Sequence, residues 1–204
     1  MLGLGAIFTL FFVTLGPLKV LGPFAQQTQA LEPAALRSLS LRVFVIALIA
    51  VLAGGYLGEV LASNWHISVP AITIATGIIF LLVAISAVMT AYEAPHAPPA
   101  LLPAAPIAAA LRLTFPTVVT PYGIAALIAL LAVSDNSTDS WHIYALLVFV
   151  MVLNLLAMLF VRQVMRGIML LILQILGAVL GVLQVCLAIQ IIIIGLRALN
   201  VLPR

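Results

Sequence analysis

Residues 168–196 read IMLLILQILGAVLGVLQVCLAIQIIIIGL, twenty-nine consecutive positions without Lys, Arg, Asp or Glu. About twenty apolar residues are enough for a helix to cross the hydrocarbon core of a bilayer. At the helical rise this run would extend about 44 Å. Tilt, a kink near Gly177 and Gly181, or an interfacial start near Arg166 would absorb the excess. Residues 43–62, 67–91 and 143–161 have the same character, and the only charge among them is Glu59, at the end of the first run.

The whole chain agrees with this stretch. Of its 204 residues, 66% are hydrophobic and 6% charged, where a soluble domain carries about 25% charged residues. Eight Lys and Arg with five Asp and Glu cannot solvate a globule of this size, so lipid must replace the missing polar surface. The net charge of +3 comes from basic residues scattered singly at the ends of apolar runs. That pattern anchors and orients spans and gives no reason to expect nucleic acid.

Several chemistries have no support. Cys186 is the only cysteine, so no internal disulfide or redox dithiol can form. It reads as a small buried apolar side chain. His66, His96 and His142 lie in connections at wide spacing, a poor arrangement for a metal. No phosphate-binding Gly-Lys loop, Ser-His-Asp set or His-Glu-x-x-His motif is present, so neither an enzyme nor a cofactor is expected. No carboxylate falls in mid-span, which leaves proton coupling through Asp or Glu unsupported.

The apolar pattern predicts an all-α membrane protein of six transmembrane helices. Helix one runs from about Leu2 to Gln29 and, having no cleavable leader before it, is expected to stay in the protein. Helices two and three cover roughly 41–62 and 69–91. The connection AYEAPHAPPALLPAAP follows, with five prolines between Pro95 and Pro106. Helix four begins between Leu101 and Arg112 and ends near Val133. Helix five is about 141–161, and helix six lies within 168–196. The expected division is a first three-helix repeat (1–91), a Pro/Ala-rich linker (92–111) and a second repeat (112–204).

Basic residues set the expected orientation. Arg37 and Arg42 follow helix one, Arg112 precedes helix four, and Arg162 and Arg166 follow helix five, while the alternate loops carry none and one holds Asp135 and Asp139. The positive-inside rule then places both termini outside, in the periplasm of an inner membrane. Arg197 and Arg204 at the C-terminus pull the other way.

The halves correspond at an offset of 104 positions: Phe11 with Phe115, Pro17 with Pro121, Gly77 with Gly181, Ala84 with Ala188. An odd number of helices per half makes the repeat inverted, as in many secondary transporters. The paired irregularities are the candidate site. The first reads Thr14-Leu15-Gly16-Pro17-Leu18-Lys19-Val20-Leu21-Gly22-Pro23-Phe24. The second reads Phe115-Pro116-Thr117-Val118-Val119-Thr120-Pro121-Tyr122-Gly123. Freed backbone groups at membrane depth persist only where protein or a water-filled cavity satisfies them, and paired breaks in corresponding segments point to a transport site. The candidate solute-binding residues are Thr14, Gly16, Pro17, Lys19, Gly22 and Pro23, with Thr117, Thr120, Pro121, Tyr122 and Gly123. Lys19 is the one charge set well inside an apolar segment. It either binds an anionic group such as a carboxylate or snorkels to the interface. Asn154, Gln174, Gln184 and Gln190 read as amides that join helices, with pathway lining as the lesser reading.

These residues carry a resemblance. FFVTLGPLKVLGPF, TFPTVVTPYGIAAL, ATGIIFLLVAISAV and Leu187-Ala188-Ile189-Gln190 followed by Gly195 resemble segments of the MarC family of integral membrane proteins, which is distantly similar to the LysE-type exporters. Gly16 stands where the family commonly has Asp or Asn, and Lys19 where it has Gly. The resemblance implies a transporter-like fold, and the LysE relation implies export of amino acids or similar metabolites. The functional expectation is a secondary transporter exporting a small solute. The alternative is a non-transporting membrane subunit scaffolding a larger assembly. Expected partners are the lipid bilayer and the solute, with a homo-oligomer or a partner subunit also open.

Overall fold

The computed structural model describes residues 4–90, 105–134, 137–165 and 168–201. All regular structure among them is helical: α1 (Leu4–Leu15), α2 (Pro17–Thr28), α3 (Pro33–Asn64), α4 (Val69–Thr90), α5 (Pro106–Leu113), a five-residue π-helical turn (Thr114–Val118), α6 (Pro121–Val133), α7 (Ser137–Leu159), α8 (Val161–Val164) and α9 (Ile168–Ala198). Most of the linker expected over 92–111 lies outside the described residues. Its end is already helical, because Pro106 opens α5 at the position where a missing N–H goes unnoticed. His96, Asp135, Arg166 and Arg204, and the side-chain surroundings of Asp139, Gln174 and Gly177, also lie outside.

Among the described residues, four helical stretches are long and apolar enough to cross a membrane: Ile7–Thr28, Pro33–Asn64, Ser140–Leu159 and Val179–Ala198. The segments Pro106–Val118 and Pro121–Ala132, bent by 61°, make a fifth if they form one span. Within α4, the expected third helix, the described residues contribute the apolar stretch Val69–Ile85. Among the described residues, length and composition therefore carry four or five of the six expected spans. The 168–196 run becomes one continuous helix of 31 residues, about 46 Å long.

The spans face two apolar environments. In α3, Leu36, Leu39, Ser40, Val43, Ala47, Val51, Gly55 and Ala62 are buried at three- and four-residue spacing, which makes one inward stripe. Between them Leu41, Val45, Ile49 and Leu57 are exposed. A helix apolar on both faces belongs against protein on one side and lipid on the other. Cys186 corrects an expectation: it is exposed rather than buried.

Chain reversals use local backbone chemistry. His66 and Asn200 adopt left-handed conformations, with φ of 54° and 57°. Ile67 N–H then donates to Ala62 O at 3.0 Å and Val201 N–H to Leu196 O at 3.1 Å. These are the six-to-one bonds of a Schellman helix end.

Two glycine contacts set the closest helix pair. A methyl on Gly77 would lie 3.0 Å from Ile192 N and 3.2 Å from Ala188 O. A methyl on Gly195 would lie 3.2 Å from Ile74 N and from Pro70 O. The contacts are reciprocal: exchanging Gly77, Ile74 and Pro70 with Gly195, Ile192 and Ala188 maps one onto the other. Thus α4 and α9 run antiparallel, and Gly77 and Gly195 meet the opposite helix in the same way. Gly54, Gly55 and Gly58 of α3 face Ile124, Leu127 and Ile128 of α6 in ascending order, so those two helices run in the same direction.

Candidate functional site

The first break falls at one residue. Gly16 is extended (φ −79°, ψ 170°) and Pro17 opens α2. Any Cβ on Gly16 would overlap the Phe12 carbonyl, so only glycine fits. In an unbroken helix the carbonyls of Val13, Thr14 and Leu15 would accept from residues 17, 18 and 19. Pro17 has no N–H, and the extended Gly16 takes Leu18 and Lys19 out of register.

Each of these three carbonyls instead meets a side chain from another part of the fold. Gln184 Nε2 of α9 donates to Val13 O at 3.1 Å. Thr120 Oγ1, at the second break, makes a long 3.4 Å contact to Thr14 O. Asn154 Nδ2 of α7 donates to Leu15 O. Asn154 is fully buried, and its Oδ1 has no hydrogen-bond partner among the described residues.

The second break is wider. Phe115 leaves helical geometry (φ −113°, ψ 126°) within the π-helical turn, and the Phe115–Pro116 peptide is cis. Val119 and Thr120 are extended before Pro121 starts α6. Thr120 Oγ1 accepts the Gly123 N–H at 3.2 Å, capping α6. Gly123 lies against Leu15: an added methyl would run into the Leu15 side chain and approach Thr120 Oγ1 to 2.9 Å. The two breaks therefore touch through Thr14–Thr120 and Leu15–Gly123.

A charge spans the junction. Lys19 Nζ sits 3.8 Å from the centroid of the Tyr122 ring, a cation–π contact. Tyr122 is buried and stacks on Phe80 of α4, with centroids 5.8 Å apart and planes at 25°. Three helices thus contribute to one Lys–Tyr–Phe column.

The chain matches the sequence profile of MarC family integral membrane proteins over residues 3–200, and both broken segments lie within the match. The chain belongs to the MarC family. It is an integral, multi-pass membrane protein. No curated protein and no solved structure matches it.

In this MarC family chain the expected site residues divide into two groups. Thr14, Gly16, Pro17 and Lys19 lie at or within a turn of the first break and meet Thr120, Tyr122 and Gly123. Pro121 is exposed and Thr117 half-buried on the second break. Gly22 and Pro23, which the sequence places in the first irregularity, instead lie within α2. Pro23 is exposed and removes only the bond to the Lys19 carbonyl, so the helix continues. The Thr14 hydroxyl is occupied, donating to Leu10 O at 2.7 Å. Lys19 is half-buried, with its ammonium turned to the second break rather than carried fully into solvent.

Asn154, Gln184 and Phe80 complete the cluster. The signal for the first two was an amide inside an apolar run. Phe80, one aromatic among nine phenylalanines, gave none. Arg162 donates to Leu31 O, tying the segment after α7 to the turn after α2. A cavity of about 280 Å³ along the end of α3, lined by Tyr56, Glu59, Val60, Ser63 and Asn64, includes none of the break residues.

Proposed function

We propose that this protein is a secondary transporter that moves a small solute across the inner membrane unchanged, using the junction of the two breaks as its site. One observation carries the reading: the carbonyls freed at the first break are met by side chains of α7, of α9 and of the second break. Irregular backbone at membrane depth belongs where it lines a path or a site, and half-helix ends there are suited to polar and charged solutes. The first turn of α2 has no side-chain cap at Gly16, so its N–H groups and positive dipole end favour an anionic group. Lys19 adds a full charge at the same end. A solute carboxylate exchanging with the Tyr122 face would give Lys19 its counter-charge.

The finer architecture belongs to the same proposal. Six spans in two inverted repeats would place α4 and α9 antiparallel and α3 and α6 parallel, as their glycine contacts run. Arg37, Arg42 and Arg162 would then face the cytoplasm and both termini the periplasm. The distant likeness to LysE-type exporters supports export of an amino acid or related metabolite.

The test is counterflow in proteoliposomes with labelled amino acids and small carboxylates, comparing the native protein with Lys19→Met. Saturable flux of an anionic or zwitterionic solute that drops about tenfold or more in the variant fits the loss of a charge-assisted contact. Flux unaltered by Lys19→Met removes Lys19 from the site. No flux of any solute, together with a stoichiometric partner on purification, overturns the transporter reading in favour of a scaffold.

A further inference from the structure

We propose that the C-terminal end of α1 is a binding site for a monovalent alkali cation, Na⁺ in particular, ligated by Asn154 Oδ1 with the carbonyl oxygens of Thr14 and Leu15. The inference concerns an ion rather than the carried solute, and it stands whether or not Lys19 binds a carboxylate.

The argument starts from Asn154. It is fully buried on α7, in the midst of an apolar span where an unsatisfied polar atom is costly. Its Nδ2 is spent on Leu15 O. Turning the amide over would set Oδ1 against that carbonyl, oxygen to oxygen, so the hydrogen bond fixes which atom is which. The remaining Oδ1 has no donor among the described residues. A buried acceptor beside an interrupted helix calls for a partner, either a hydrogen-bond donor or a cation.

The surroundings are arranged for one. The last carbonyls of α1 form the negative end of its dipole. Each carbonyl oxygen has two lone pairs, and the single donors that reach Thr14 O and Leu15 O leave one on each. The Thr14 contact is also long, at 3.4 Å, so that oxygen is the least satisfied of the three. Every ligand in this set is a neutral hard oxygen. Such a set suits a hard cation of low charge, and unwound carbonyls at half-helix C-termini are suited to Na⁺. Divalent and transition metals are disfavoured here, because no group of three or more His, Cys, Asp or Glu side chains able to hold a metal occurs among the described residues. Lys19 does not fill the role, since its ammonium is engaged by the Tyr122 ring.

The experiment is thermal unfolding of the detergent-purified full chain in NaCl, KCl and choline chloride at equal ionic strength, without solute. The expected result is a Tm that rises with Na⁺ concentration and saturates, as for a ligand bound only by the native state, with a smaller or absent rise in KCl. Asn154→Leu is expected to abolish the Na⁺ effect. Because that variant also loses the bond to Leu15, Asn154→Asp is measured beside it. Its carboxylate keeps an oxygen at the site and adds charge, so its half-saturating Na⁺ concentration should fall by about tenfold. Equal Tm values in all three salts overturn the proposal and leave Oδ1 to a water. An Na⁺ effect that survives Asn154→Leu and is unchanged in Asn154→Asp overturns it too, as does stabilisation by amine-bearing solutes with no response to alkali ions.

Discussion

The Lys19 ammonium lies 3.8 Å from the centre of the Tyr122 ring, so the charge on the first broken span is held by an aromatic face from the second. Removing that face should be felt in both stability and transport. Tyr122→Leu forfeits the cation–π contact and the stack on Phe80, a loss of about 1–3 kcal/mol. Tyr122→Phe keeps the ring and is expected to stay within about 0.5 kcal/mol of the native protein. Unfolding in mixed micelles measures both. Equal destabilisation by the two variants would mean that the hydroxyl, not the face, is what matters.

The second prediction concerns the α4–α9 seam. A methyl at Gly77 or at Gly195 would run into the side chain of Ile192 or Ile74 and also crowd the backbone of the opposite helix, which cannot move aside as a flexible side chain can. Gly77→Ala and Gly195→Ala are each expected to cost about 1–3 kcal/mol, with similar values because the two contacts are reciprocal. Gly22→Ala is the control. Its added methyl meets nothing within 4 Å, and replacing glycine inside a helix should gain about 0.5–1 kcal/mol. A neutral result at Gly77 and Gly195 would show that the helices are farther apart than described.

This seam also marks how far the sequence could be read. The offset of 104 equated Gly16-Pro17 with Thr120-Pro121, and both are breaks, because proline announces a missing donor wherever it stands. The same offset equated Gly77 with Gly181, while the matching close contacts across α4 and α9 are made by Gly77 and Gly195. A glycine is kept by what approaches it from another helix, and one chain's order of residues does not state that register. Gly22-Pro23 failed in the opposite direction. It has the same letters as Gly16-Pro17, but one lost bond on an exposed face is tolerated, whereas Gly16 is held open by the Phe12 carbonyl. Asn154 and Gln184 were legible as amides that must find partners. Which carbonyls they serve depended on where the break exposed them.

The third prediction separates two roles of Thr120. Its hydroxyl caps α6 through Gly123 N–H and touches the Thr14 carbonyl. Thr120→Val keeps the shape and removes both, and should cost about 1 kcal/mol, as for loss of a helix cap. Thr120→Ser keeps the hydroxyl and is expected to retain most of that stability. If counterflow falls in Thr120→Val but recovers in Thr120→Ser, the hydroxyl serves the junction as well as the cap. Flux lost in Thr120→Ser but retained in Thr120→Val would assign the effect to the threonine methyl.

The last prediction tests the proposed orientation. Ala35 is exposed in the first turn of α3 and Ser68 is exposed just beyond its end. α3 itself runs 32 residues, about 48 Å, which is more than a hydrocarbon core of about 30 Å requires. Arg37 and Arg42 stand at the Ala35 end, so the positive-inside rule assigns that end to the cytoplasm. In a Cys186→Ser background, Ser68→Cys should react with a membrane-impermeant maleimide added to intact spheroplasts. Ala35→Cys should react only after permeabilisation. The reverse pattern would invert the protein and place both termini in the cytoplasm. Labelling of both positions from the same side would mean that α3 does not cross, and with it the assignment of Arg37, Arg42 and Arg162 to one face would fall.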